Sequence, residues 1–173
     1  MSEIRLLTAD DAAVFQQVRL RSLREHPEAF GSSVEEEADT PIEKTAEFLA
    51  NGLPDSPMFG AFVDNQLVGL IHIGRSPRSK MRHRAHIGAM YVAPEVRGQH
   101  IARALLNAAI DYARTLDGVE DIVLAVTVGN DAARALYASA GFQPYSIDPR
   151  LIYIDGRYYD VEWMIMRLHS ASN

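Results

Sequence analysis

The sequence predicts a mixed α+β fold on a mostly antiparallel central sheet flanked by helices. Three observations carry this. Short apolar runs and longer stretches of helical period are interspersed along the chain. Turn signals at Asp64-Asn65 and Asp155-Gly156 join neighbouring apolar runs as hairpins. The resulting order is β, two helices, three strands, helix, strand, helix, then two or three strands, which does not suit a doubly wound parallel sheet.

Each element has its own signal. Ile4–Leu7 reads as the first strand. Thr8 followed by Asp11 is a weak capping box, and a helix with Val14, Val18 and Leu23 among its apolar positions runs to about Glu25, where His26-Pro27 stops it. Phe30–Asp39 has no clear period. Thr40-Pro41-Ile42-Glu43 opens a second helix, with proline at its first position, that closes at Asn51-Gly52. Met58–Val63 and Gln66–Ile73 form a hairpin, and a polar connection rich in arginine leads to the strand His86–Val92. A helix from near Gln99 to about Thr115 places Ile101, Ala104, Leu105, Ala108 and Tyr112 on one face. Ile122–Val126 is a short strand. Asn130–Ala140 is a helix with Ala133, Leu136, Tyr137 and Ala140 on one face, closed by Gly141. Phe142–Ile147, Leu151–Ile154 and Arg157–Leu168 are the last sheet segments.

Composition narrows the function. The 173 residues suffice for one domain with a sizeable core, and residues 1–173 read as a single unit. The absence of cysteine excludes disulfides, thiolate metal sites and cysteine nucleophiles. A net charge of −6 argues against a nucleic-acid partner. No apolar run is long enough to span a membrane and no secretory signal is visible, so no membrane association and a cytoplasmic location are expected.

Chemistry concentrates in two places. Val92-Ala-Pro-Glu-Val-Arg97-Gly98-Gln99-His100-Ile101-Ala102 joins a strand to a helix. Free N–H groups and the positive end of the helix dipole make such a turn an anion site. It has no Gly-Lys-Ser/Thr ending and no Gly-x-Gly-x-x-Gly fingerprint, so a nucleotide-hydrolysing or Rossmann site is not indicated. The second place is Asn130-x-x-Ala133-x-x-Leu136-Tyr137-x-x-x-Gly141-Phe142, directly after a strand.

Together and in this order, the two motifs resemble those of the Gcn5-related N-acetyltransferase (GNAT) superfamily, in detail over about residues 85 to 145. The resemblance implies a GNAT-like sheet whose central strands splay apart, and acetyl-CoA as co-substrate with no metal. The turn Arg97, Gly98, Gln99, His100, Ile101, Ala102 and Arg103 would hold its pyrophosphate. Met90, Tyr91 and Val92 would present free backbone groups to the pantetheine arm and the thioester carbonyl. Asn130 would contact the cofactor near the pantetheine amide and can also cap its helix. Tyr137 would be the general acid for the departing thiolate.

One position departs from the pattern: His100 stands where the family usually has glycine. A histidine suits the backbone contact if its φ is negative and its ring points outward. The strand position at which amino-terminal acetylating members carry a glutamate is Ala125, so no general base is assigned. His86, ordered water and Glu35, Glu36 or Glu37 are the alternatives. The implied reaction is direct transfer to a primary amine of a small molecule or peptide in a ternary complex. A catalytically weak acyl-CoA-binding or sensor module is the alternative, and a homodimer is a family expectation. The acceptor would be chosen by Glu25–Thr40 and Tyr145–Asp160, which match no specific pattern. The basic run Arg75, Arg78, Lys80, Arg82, His83 and Arg84 could meet an anionic partner or simply be solvated.

Overall fold

The computed structural model describes residues 2–168. One sheet of seven strands organises them, in the order β1-β2-β3-β4-β5-β7-β6. The strands are β1 Ser2–Leu6, β2 Met58–Val63, β3 Gln66–Arg75, β4 Arg84–Val92, β5 Asp121–Thr127, β6 Gln143–Ile154 and β7 Arg157–Arg167. All neighbours are antiparallel except β4 and β5. The helices are α1 Ala12–Glu25, α2 Val34–Glu37, α3 Ile42–Ala50, α4 Ile101–Thr115 and α5 Asp131–Ala140.

Strand alternation sorts side chains to the two faces of the sheet. Ile71 and Ile73 of β3 pack with Leu105, Leu106 and Ala109 of α4 in the larger core. Leu70 and Met58 point the other way, into a second core with Phe15 of α1 and Leu49 of α3. Both hairpins turn as the sequence predicts: Asp64 and Asn65 have φ of 48° and 61°, and Asp155 and Gly156 have 46° and 82°.

Several expectations are corrected. The buried stripe of α4 is Ile101, Leu105, Leu106, Ala109, Ile110 and Ala113, so the helix is rotated from the expected face that included Ala104 and Ala108. In α1, Phe15 is buried and Val14 lies 41% exposed, because the helix packs on β3 and α3 together. The helix expected near Gln99 starts at Ile101, because Gly98 and His100 both have positive φ. Phe30–Asp39 contains the short helix α2, with Ser33 and Glu36 forming a capping box. In α3, Pro41 is the cap and Ile42 the first helical residue. The segments expected as separate strands after Phe142 form one irregular strand, β6, whose register shifts between Asp148 and Ile152. Proline cannot donate to a ladder, so the shift around Pro149 keeps β6 paired on both sides of it.

The pairing of β4 with β5 positions the site. It runs from Arg84↔Asp121 to Ile87↔Leu124 and stops there. Beyond it, β4 stays with β3 through Gly69↔Val92 and β5 stays with β7 through Thr127↔Val161. The strands therefore part in the middle of the sheet. At the parting, β4 bulges: the register with β3 shifts between Leu70 and His72, and Ala89 takes φ of 51°.

Candidate active site

The gap between β4 and β5 widens into an open cleft of about 1000 Å³. Met90, Tyr91 and Val92 line it from one strand, and Ala125, Val126 and Thr127 from the other. Alternate residues of each strand direct N–H and C=O groups into the gap, where no strand partner meets them. An extended amide-containing ligand can add itself there as a strand would.

The phosphate-type turn closes one end of the cleft. Arg97, Gly98, His100, Ile101, Ala102 and Arg103 all line it. Gln99, expected with them, is not among the lining residues. The first helical bond runs from the Ala104 N–H to the His100 carbonyl at 3.0 Å, which leaves the N–H groups from Gly98 to Arg103 without backbone acceptors. Six successive unpaired donors at a helix start, with two arginines beside them, suit a multiply charged phosphate group. Gly98 has φ of 81° and a Cβ there would meet nothing within 4 Å, so its role is conformational. His100 has φ of 60° and ψ of 13°. The condition of a negative φ is not met: the histidine takes the left-handed shape that glycine would take.

Further contacts tie the turn to α1. Arg97 donates to His26 Nε2 at 3.0 Å. Arg21 grips Glu95 through two bonds of 2.6 and 2.7 Å and also holds Glu25, which accepts from the Tyr91 hydroxyl at 2.8 Å. Burial, then the Glu25 hydrogen bond, raises the Tyr91 phenol well above its ordinary value, so Tyr91 stays protonated and structural. On the other side Arg103 donates to Ser139 Oγ of α5.

Asn130 and Tyr137 line the same cleft from α5. Asn130 Oδ1 accepts from the Ala133 N–H at 3.3 Å, so it caps the helix. Tyr137 is 6% exposed, with its ring edge-on to Phe142 at 6.2 Å. Burial pushes its pKa up to about 12, and it is protonated at neutral pH.

The proposed bases fare differently. Glu36 is spent on the Ser33 N–H at 2.7 Å, and Glu37 is bound to Arg19 at 2.7 and 2.9 Å. Neither these nor Glu35 lines the cleft, and nor does His86. Glu28 is the one carboxylate that does, among the described residues. Its backbone carbonyl accepts from Thr127 Oγ1 at 2.6 Å, which fastens this turn over the end of β5. Arg19, His26, Glu28, Arg157 and Tyr159 are lining residues that no sequence motif marked individually, although four of them fall within the two segments expected to choose the acceptor. In the basic run, Arg75 and Arg82 share Asp55, and Arg84 lies near Asp121.

The family described as Acetyltransferase (GNAT) family matches residues 19–142, which include the turn, the parted strands and the capped helix. The chain belongs to the GNAT family. This GNAT chain is 38% identical over 82 residues to a spermidine N(1)-acetyltransferase of Vibrio cholerae, 47% of each chain being covered. It spans about half the length of the curated relatives it matches. Its fold is that of an acetyltransferase of the GNAT family from Streptococcus pneumoniae, at a TM-score of 0.89 and 22% identity over 97% of this chain and 100% of the other. A putative acetyltransferase from Salmonella typhimurium, solved with its cofactor acetyl-CoA, superposes at a TM-score of 0.83 and 22% identity over 99% and 96%. Among the described residues no helix is long and apolar enough to cross a membrane.

Proposed function

We propose that this protein transfers the acetyl group of acetyl-CoA directly to a primary amine. The observation that carries the reading is the convergence on one cleft of the unpaired donors of Gly98–Arg103, the free edges of β4 and β5 and Tyr137. The donor set fits the substrate: a diphosphate needs N–H groups and arginines, and an amide-bearing arm needs a strand edge.

Arg97, Arg103 and the turn hold the pyrophosphate. A backbone N–H of Met90, Tyr91 or Val92 hydrogen-bonds the thioester carbonyl and stabilises the negative charge that develops on its oxygen during attack. Glu28 accepts the proton that the acceptor ammonium must lose. Tyr137 donates to the departing sulfur. With the tyrosine at about 12, full transfer to a thiolate of ordinary pKa near 8.5 is uphill. The burial that raises the phenol also raises a thiol bound beside it, which narrows the difference. The bond from Tyr137 therefore stabilises the leaving group as charge accumulates.

Thiol release from acetyl-CoA with a panel of amines tests the reading. Tyr137→Phe should lower kcat by about 10²-fold while the Kd for CoA barely changes. An unchanged kcat removes Tyr137 from the chemistry. Saturable cofactor binding with no transfer to any amine favours the sensor reading, which the carboxylate-free Ala125 supports.

A further inference from the structure

A second cavity of about 400 Å³ lies between α1, α3 and the β2–β3 hairpin. Phe15, Leu20, Phe48, Met58 and the ring of His72 give it apolar walls. The Phe15 and Phe48 rings are 6.3 Å apart, and Phe48 and His72 are 6.5 Å apart. Arg19 and Ala89 line both this cavity and the cleft. His72 is the cross-strand partner of Gly88, so both face the same side of the sheet. A Cβ on Gly88 would meet nothing within 4 Å, so the space above the pair is open. The two cavities thus adjoin at the β4 bulge, where the proposed function puts the thioester.

Its charges limit what it can take. Glu37 is neutralised by Arg19 through two short bonds. Lys44 is the other charged lining residue, and no ion pair holds it among the described residues. His72 has Nε2 within 2.7 Å of Ser56 Oγ. Burial lowers its pKa, the hydrogen bond at Ser56 opposes, and the charges of Arg19 and His86 add to the fall. The cavity therefore offers no free carboxylate to a second ammonium, and Lys44, the one charge left unpaired in its lining among the described residues, opposes one.

We propose that this cavity receives the body of the acceptor, and that the acceptor is a primary monoamine with an apolar or aromatic body and not a polyamine. The inference rests on the acetyl-transfer reading for its reacting end, and on the walls and charges of the cavity for its specificity.

The test compares phenethylamine with spermidine as acceptors for acetyl-CoA, and measures phenethylamine binding to the CoA-loaded protein by calorimetry. Phenethylamine should have a kcat/KM at least about tenfold above that of spermidine, the scale on which an apolar pocket discriminates. Phe48→Ala and the space-filling Met58→Trp should each weaken phenethylamine binding by roughly tenfold. The Kd for CoA reports that both variants are folded. Spermidine acetylated faster than phenethylamine, or variants that bind phenethylamine as wild type does, would overturn the pocket assignment and leave acetyl transfer standing. If no amine is acetylated, the transfer reading fails, and the calorimetry still decides the pocket: binding lost in the variants supports it, and no binding in wild type refutes it.

Discussion

His100 adopts φ of 60° and ψ of 13° at the head of α4, a conformation that costs a residue with a Cβ about 1–2 kcal/mol. Histidine is among the side chains that tolerate it best, and a β-branched residue is among the worst. His100→Gly removes the strain but adds freedom to the unfolded chain, so the net gain is roughly 0.5–1 kcal/mol. Because the backbone already has the glycine shape, the Kd for CoA should stay within about threefold, under about 1 kcal/mol. Thermal melts and calorimetry check both numbers. A change in Kd above about tenfold would give the imidazole a direct role at the phosphates. At this scale the motif residues were legible because the resemblance marked their positions. The backbone sign of His100 was not, because φ depends on how the turn must enter the helix. Glu28 was not legible either: in sequence it is one acidic residue after a helix stop, and only the bond from Thr127 to its carbonyl brings it over the cleft.

The entry to α1 shows what an element needs at its end. Asp11 accepts from both terminal nitrogens of Arg5 and from the Thr8 N–H, all at 2.8 Å. The Arg5 guanidinium, with Thr8 assisting, holds the Asp11 pKa down to about 2 against the effect of burial. A folded pKa below the unfolded value stabilises above the unfolded value near 4, and that stability is lost as the pH falls through 2. Arg5 is 37% exposed, so solvent screening reduces the contribution to about 1 kcal/mol. Asp11→Asn should therefore cost about 1 kcal/mol at pH 7 and flatten the fall in stability between about pH 4 and 2. Urea unfolding of both proteins across that range measures it, and parallel pH curves would refute the assignment. Helix and strand identities were legible from period and caps. The rotation of α4 was not, because alanines fit either flank of its apolar stripe and the sheet decides which are covered.

For the whole molecule, the parting of β4 from β5 makes the cleft, and the α1 network through Arg21, Glu25 and Glu95 holds its rim. Binding in such a gap completes a sheet and occupies a helix start at once. CoA at a hundred times its Kd should stabilise the fold by about 2.7 kcal/mol, and hydrogen exchange should slow at Gly98–Arg103 and along the free half of β4. Stabilisation with exchange unchanged at those amides would place the ligand elsewhere. Most of the succession of strands and helices, the two hairpin turns, the strand-to-helix turn at Arg97–Arg103 and the family resemblance could be read from the chain alone. These follow from local periodicity, turn chemistry and short spacings, all of which act between near neighbours in the chain. It took the packed layers to bring Tyr137 to the cleft, to consume Glu37 on Arg19, and to join a second cavity to the first at Ala89. Those facts depend on contacts between residues far apart in the chain. No local pattern encodes them, because burial and charge pairing exist only once the layers have packed.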